Sequence, residues 1–241
     1  MKTKKVQGIF ITGTDTGVGK TIVSAALIRS LQDQEIDAGY FKPIASGARK
    51  TAQGLLAPDV AFVLRTTGIQ DPPFLVNPVC LVPPLAPLTA MEISGHPWRK
   101  SSLTRAFERL KKRHSFLIVE GVGGLMVPLK KNLLLIDLIK EFDFHVLVVS
   151  RPSIGTINHT LLTLTLLKQN DLSILGFLFN GGRGRPGLAE KTAPAVIESF
   201  SKVPFLGSLP FDQMVSETEF RLGSLPQKLR KMGILSRLAS K

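Results

Sequence analysis

GTDTGVGKT, residues 13–21, is the stretch on which the reading of this chain turns. Its end, Gly19-Lys20-Thr21, is that of a phosphate-binding loop, whose usual spacing is G-x-x-x-x-G-K-[ST]. Here five residues, not four, separate Gly13 from Gly19. The loop follows an apolar run and opens a segment of helical spacing, the strand-to-helix setting that a phosphate site requires. In that setting the backbone N–H groups at the helix start face the anion, and the helix dipole reinforces them. Lys20 is expected to reach the terminal phosphates and the Thr21 hydroxyl to bind Mg²⁺. The competing interpretation, a glycine-rich turn without a ligand, is disfavoured by GKT standing directly after a strand.

Outward from the loop, six short apolar runs punctuate the chain, at 6–12, 37–44, 115–120, 145–150, 173–180 and 203–209. Several are continuous instead of alternating, as strands buried on both faces of a parallel sheet read. Helical spacing fills 22–31, 102–113, 156–168 and 188–200. This alternation predicts an α/β fold: a single P-loop domain over 1–241, with a mostly parallel central sheet flanked by helices on both faces. Residues 66–100 carry seven of the 16 prolines and read as a loop-rich excursion outside the sheet core, either a substrate wall or a structural connection. The tail from Arg221, with Leu225, Leu229 and Met232 beside several cations, reads as a final helix covering the sheet.

The bulk numbers exclude several classes. A chain of 241 residues, 44% hydrophobic and 20% charged, has the composition of a globular protein. No apolar run approaches the roughly 20 residues needed to span a bilayer. The lysine-rich start, MKTKKVQGIFITGTD, runs from a short apolar stretch straight into the glycine loop, so it reads as a first strand and not a signal peptide. Cys80 is the single cysteine, which leaves no intramolecular disulfide and argues for the cytoplasm, with no membrane partner. Lys plus Arg number 31 against 18 Asp plus Glu, a net charge of +13. The cations are spread out, with small clusters at Lys111, Lys112 and Arg113 and at Lys228, Arg230 and Lys231. Charge alone does not separate nucleic acid or anionic substrates from solvated helix faces.

Three segments narrow the chemistry. FKPIASG sets Lys42 and Ser46 at the carboxyl end of the second strand, the edge at which open α/β sheets bind ligands. SFLIVEGVGG sets Glu120 at the end of a buried strand before a glycine turn, where a carboxylate can hold Mg²⁺ directly or through water. Asp59, in LAPDVAFVLR, stands before an apolar segment and is either a helix N-cap or a metal-side carboxylate.

GTDTGVGKT, YFKPIASG, PDVA, VEGVGG, GTINHTLLT, FNG and FLGSLPF, in that order, resemble the ATP-dependent dethiobiotin synthetase family, from Gly8 to about Glu217. The lengthened loop is itself similar to that family's, and its extra residue lets Thr14, Asp15 and Thr16 crowd the terminal phosphate. The resemblance implies three substrates: ATP, CO₂ (or bicarbonate) and 7,8-diaminononanoate. One amine is carboxylated to a carbamate, ATP phosphorylates the carbamate oxygen, and the second amine closes a cyclic urea on the way to biotin. It implies Lys42 as the catalytic lysine, with Lys20 and Thr16 beside it, and Thr16 and Ser46 against the carbamate or diamine. Thr21, Asp59 and Glu120 would surround Mg²⁺. Gly17, Val18, Gly19, Ile22, Gly121, Gly123, Asn180 and Gly181 would hold the nucleotide, with Pro210, Phe211, Asp212 and Glu217 as its outer wall. Gly155, Thr156 and Asn158 would bind the substrate carboxylate from the neighbouring subunit of a homodimer. Two features depart from the pattern: Gly17, where many relatives carry a bulkier residue, and the basic, glycine-rich NGGRGRPG at 180–187.

Two other families share this kind of loop. The cobyrinic acid amide synthetases add an amidotransferase domain with a catalytic cysteine, whereas Cys80 lies in the proline-rich excursion. Partitioning and positioning ATPases, which bind DNA or membrane, read K-G-G-x-G-K-T, and here Asp15 and Thr16 stand where the Lys-Gly begins. No nucleic-acid partner is therefore expected. A paralogue acting on another amine would use the same residues.

Overall fold

The computed structural model describes residues 7–52, 54–95, 97–182, 187–234 and 236–239. The six apolar runs become six strands: β1 (Gln7–Gly13), β2 (Ala38–Phe41), β3 (Phe116–Glu120), β4 (His145–Ser150), β5 (Ile174–Gly182) and β6 (Phe205–Pro210). They form one sheet in the order β6-β5-β4-β1-β3-β2, and every pairing in it is parallel. The helices of seven residues or more are α1 (Lys20–Gln32), α2 (Pro58–Thr67), α3 (Pro87–Ser94), α4 (Lys100–Arg113), α5 (Leu135–Phe142), α6 (Thr156–Gln169), α7 (Leu188–Ser201) and α8 (Leu225–Lys231).

Side-chain alternation along the strands feeds two cores. Ile9 and Ile11 of β1, Tyr40 of β2, Ile118 of β3 and Val149 of β4 pack with α1, α2 and α8 on one face. Phe10, Phe41, Leu117, Val119 and Val148 pack with α4, α5, α6 and α7 on the other. On that second face the rings of Phe41, Phe107 and Phe142 meet, with Phe107 and Phe142 centroids 4.4 Å apart and Phe41 and Phe142 5.6 Å apart. Such aromatic pairs add about 0.5–1.5 kcal/mol each beyond their buried area. Because Phe41 is committed to that cluster, its neighbours Tyr40 and Lys42 must point to the α1 side.

The excursion at 66–100 is more ordered than its prolines suggest. It lies outside the main sheet, as expected, yet Leu75, Val76, Val79, Leu81, Ala90 and Trp98 are buried. A single helical turn, Pro73–Val76, and α3 each begin on proline, which is tolerated at a helix start because the first N–H has no partner there. Val79–Cys80 pairs in parallel with Ile44–Ala45, tying the excursion to the segment that follows Lys42. The tail folds as expected: Leu225 and Leu229 of α8 are buried on the α1 face.

Candidate active site

Three strand ends and one helix start converge on the site. In the parallel β2–β3 pair, Tyr40 is in register with Ile118 and Phe41 with Val119. Period-two alternation then sets Tyr40, Lys42, Ile118 and Glu120 on the α1 face, with Lys42 just beyond β2 and Glu120 closing β3. On the other side of β3, Glu120 is in register with Ile11, two residues before the loop begins at Gly13.

Glu120 has no solvent exposure, and a buried carboxylate is tolerable only when it is paired and hydrogen-bonded. Its Oε1 accepts from Lys42 Nζ at 2.7 Å and from Thr21 Oγ1 at 2.7 Å, and its Oε2 accepts from Tyr40 OH at 2.8 Å. Lys42 Nζ also donates to Asp59 Oδ2, whose side chain is half exposed. Burial presses the Lys42 pKa down, but the charges of Glu120 and Asp59 outweigh it and raise the value, so Lys42 is an ammonium. For Asp59 burial works upward, and Lys42 overrides it to hold the carboxyl below its ordinary range. Burial, followed by the charges of Glu120 and Asp59, keeps the Tyr40 phenol protonated by raising it well above its usual pKa. Lys20 is different. Burial brings it down to about 8, Lys42 pushes the same way, and Glu120 pulls against both.

The loop is held open towards a ligand. Gly19 precedes α1 at φ 89°, and α1 has no side-chain cap, so its first N–H groups have no partner from a capping side chain. A Cβ on Gly19 would sit 2.0 Å from Asn180 Nδ2. That amide donates to Val18 O at 2.9 Å, bracing the loop from the end of β5. Lys20 Nζ folds back to the Asp15 carbonyl at 3.0 Å. Asp59 is not the N-cap of α2: Ala57 holds that position, Pro58 follows, and the Asp59 carboxylate turns to Lys42.

Around these groups lies a cleft of about 1290 Å³. It gathers Thr16, Gly17, Val18, Gly19, Lys20, Thr21, Ile22, Lys42, Ser46, Asp59, Glu120, Gly121, Gly123, Asn180, Gly181 and Glu217. Sequence reasoning missed Arg49, Arg65, Arg151 and Phe220 in its lining, and Tyr40 beneath it. Arg151, the residue after β4, had a signal in the strand-end rule that found Lys42; the others become neighbours only through the fold. Pro84, Leu85, Ala86 and Pro87 bring the excursion to the rim.

One expected group does not line the cleft. Pro210, Phe211 and Asp212 lie outside it, and Asp212 is occupied elsewhere. Its Oδ2 accepts from Ser224 N and Oγ at 3.0 and 2.6 Å, and its Oδ1 from Met214 N at 2.9 Å. These bonds, those to Ser224 first, hold its carboxyl at about 2. They close the base of the hairpin Val215–Ser216/Arg221–Leu222, whose connection carries Glu217, Thr218 and Phe220 into the cleft. Gly155, Thr156 and Asn158, expected to act across a subunit interface, stand at the start of α6, outside this chain's own lining. Thr156 is buried there, with an Oγ1 that has no partner among the described residues. Of the basic segment 180–187, residues 183–186 lie outside the described residues.

The donor set fits Mg²⁺. Thr21 Oγ1 and the carboxylates of Glu120 and Asp59 are hard oxygen ligands drawn to one spot around Lys42 Nζ. Two carboxylates and a hydroxyl leave room for the waters and phosphate oxygens that Mg²⁺ retains.

Comparison with known proteins bears on what such a cleft does. An AAA domain family model matches residues 7–219. The ATP-dependent dethiobiotin synthetase BioD of Bacillus velezensis is 41% identical over 216 residues, covering 88% of this chain and 90% of its own. That of Thermodesulfovibrio yellowstonii is 43% identical over 213 residues, covering 85% and 88%. Among solved structures, the MinC:MinD cell division protein complex of Aquifex aeolicus aligns with a TM-score of 0.62 over 98% of this chain and 97% of its own. At 13% identity that likeness shows the P-loop ATPase fold and no more. The sequence relationship reaches further: with more than two fifths of the positions identical across nearly the whole length of both relatives, the chain belongs to the ATP-dependent dethiobiotin synthetase family.

Proposed function

We propose that this chain is a ligase that carboxylates 7,8-diaminononanoate with CO₂ and closes the product to dethiobiotin at the expense of ATP, in biotin biosynthesis. The observation that carries the reading is the Lys42 ammonium, fixed between Glu120 and Asp59 on the floor of a cleft that begins at the phosphate loop. One amine adds to CO₂ and loses a proton, giving a carbamate. The carbamate oxygen attacks the γ-phosphorus of ATP, giving a carbamic–phosphoric anhydride and ADP. The second amine attacks the anhydride carbon, the ring closes, and phosphate leaves.

This chemistry needs positive charge and alignment, not a covalent enzyme nucleophile. Lys42 lies where negative charge builds between carbamate and phosphoryl group. Lys20, with its pKa near 8, gains protonation when a phosphate arrives beside it. Thr16 and Ser46, both in the cleft's lining, orient the carbamate and diamine, and Gly17, Val18, Gly19, Lys20, Thr21 and Ile22 take the phosphates. Thr21, Glu120 and Asp59 would hold Mg²⁺, which when bound neutralises charge on the transferred phosphoryl group. Gly121, Gly123, Asn180, Gly181 and Glu217 bound the nucleotide, and Pro210, Phe211 and Asp212 act behind them by fixing the outer wall.

A homodimer completes the reading. Gly155, Thr156 and Asn158 lie outside their own chain's cleft, beside Ile154, which is 96% exposed, so they are suited to serve a partner's cleft. Their helix start suits the substrate's carboxylate. The whole of 1–241 is read as one P-loop unit with 66–100 as its substrate wall. A single cysteine suits the cytoplasm, and no helix among the described residues is long and apolar enough to cross a membrane.

The test is phosphate release from Mg-ATP with and without the diamine and bicarbonate, following labelled carbon into product. Turnover that needs both, with label in a cyclic urea, is the expected result. ATP hydrolysis without incorporation of label overturns the substrate assignment.

A further inference from the structure

We propose that Tyr40 is a positioning residue of this reaction: its phenol fixes the Glu120 carboxylate so that the opposite oxygen is presented to Lys42 and Thr21. The inference rests on the catalytic reading above and adds a residue to it. Tyr40 has no solvent exposure, and its OH donates to Glu120 Oε2 at 2.8 Å. Oε1 is thereby left for Lys42 and Thr21, both at 2.7 Å. The last torsion of a glutamate side chain is broad and roughly two-fold, so the strand backbone alone does not determine how the carboxylate is turned. A bond at Oε2 does. Tyr40 is suited to this because it stands in β2, two residues before Lys42, which follows directly on that strand. Phenol and ammonium therefore reach the carboxylate from the same end of β2.

Composition supports the point. The chain carries 14 phenylalanines and one tyrosine, so aromatic bulk in this core is otherwise supplied without a hydroxyl. The single hydroxylated ring, buried among apolar side chains of the α1 face, aims its oxygen at the one fully buried carboxylate of the cleft. A ring that only filled space would gain nothing from that oxygen.

The experiment uses Tyr40→Phe, Glu120→Gln and the double variant in the full chain, measuring turnover, metal dependence and a spectroscopic signature. Losing a hydrogen bond to a charged group predicts a fall of about tenfold in kcat for Tyr40→Phe and a rise of several-fold in the half-saturating Mg²⁺ concentration. The KM for the diamine should stay within about twofold, since Tyr40 lies behind the site and not in its lining. In the Glu120→Gln background the same change should alter kcat by less than about twofold, because residues acting through one another are not additive. Tyr40 is also the only source of a tyrosine signal, so protein labelled with ¹³C at the tyrosine Cζ gives one resonance. That resonance should move in Glu120→Gln and again in the wild type when Mg-ATP is added. Wild-type kcat and metal dependence in Tyr40→Phe, or a resonance indifferent to both Glu120→Gln and Mg-ATP, overturns the proposal. A moving resonance and a shifted metal dependence of ATP binding, in a protein that incorporates no labelled carbon, would leave the role of Tyr40 intact and remove only the substrate assignment.

Discussion

β2 and β3 carry an ionic cluster at each end, and the two have opposite uses. At the carboxyl end are Lys42, Glu120, Asp59, Thr21 and Tyr40. At the amino end, His114 stands between two carboxylates, with Nδ1 2.8 Å from Asp37 Oδ1 and Nε2 2.6 Å from Asp71 Oδ2. Arg113 Nε donates to the other oxygen of Asp71 at 2.5 Å, and Ser115 N donates to Asp37 Oδ2 at 3.2 Å. With a carboxylate on each ring nitrogen, His114 donates twice and is an imidazolium. Burial presses its pKa down, but Asp71 and Asp37 outweigh burial and raise it. Both clusters hold shifted pKa values, so a shift alone does not identify a site. What separates them is position: one opens into the cleft at the strands' carboxyl edge, and the other, outside that cleft's lining, clasps β2, β3 and the excursion together at their amino edge.

The sharpest way to break this contrast is Lys42→Met. If the carboxyl-end cluster is catalytic, kcat should fall by on the order of 10²–10³, the size seen when one transition-state charge stabiliser is removed. Stopped-turnover assays together with calorimetric ATP binding should show turnover lost and binding kept. Loss of stability with normal turnover in the fraction that remains folded would make both clusters staples.

Next in size is Gly19→Ala, which tests the loop that feeds only one of the clusters. A side chain at φ 89° is strained, and its Cβ would meet the Asn180 amide. Strain of about 1–3 kcal/mol corresponds to roughly tenfold to a hundredfold weaker ATP binding by calorimetry. The amino-end cluster, and with it most of the folding stability, should be unaffected. Unchanged ATP affinity would mean that the loop is not the nucleotide's seat.

His114→Ala addresses the other end. Two hydrogen bonds to charged partners suggest a loss of about 2–3 kcal/mol, hence a fall of roughly 5–10 °C in melting temperature for a chain of this size. Turnover at saturating substrate should stay within about twofold. The pH dependence has a definite sign. His114 has a raised folded pKa, so its contribution is complete below its ordinary value and fades as pH rises through the raised one. Asp71 behaves in the opposite sense. Its carboxyl, pressed upward by burial and pulled lower by His114 and Arg113, loses its contribution as pH falls through the depressed value. Thermal melts across pH should therefore show the wild-type advantage over His114→Ala shrinking on the alkaline side. An advantage that grows there would contradict the imidazolium assignment.

The two ends were also unequally legible in the sequence. GKT after a strand, a lysine and a glutamate at strand ends, and a glycine turn after Glu120 are local patterns with known chemistry, and they named the phosphate loop, the lysine and the buried carboxylate of the cleft. Four of the main helices appear as hydrophobic periods and α8 through the leucines of the tail; α5, eight residues long between short ribbons, is too brief to stand out. The amino-end cluster left no pattern, since Asp37, Asp71 and His114 become neighbours only when β2, β3 and the excursion are in place. Tyr40 was hidden for a related reason: within a buried run it reads as apolar bulk, and only the register with Ile118 shows that its hydroxyl meets Glu120. The family resemblance puts Asp212 in the nucleotide's wall, but which groups claim its oxygens depends on Ser224, twelve residues further on.

That residue supplies the smallest test, a carboxylate at the carboxyl edge of the sheet that acts as the amino-end cluster does. Its oxygens accept from Ser224 and Met214, leaving little for a nucleotide to bond. If Asp212 works only by closing the hairpin that carries Glu217 and Phe220, Asp212→Ala should raise the KM for ATP by about threefold, less than 1 kcal/mol, with kcat unchanged. Asp212→Asn, whose side-chain oxygen can still accept from Ser224, should recover most of the loss. The sign of the pH effect follows from a folded pKa of about 2: the clasp's contribution is complete above the ordinary aspartate value and lost only as pH falls towards 2, so the difference in KM should be flat from neutral to alkaline pH. An asparagine variant as impaired as the alanine one, with both losing kcat, would instead put the Asp212 charge in contact with the nucleotide, and the carboxyl edge would then have no purely structural carboxylate to compare with Asp71.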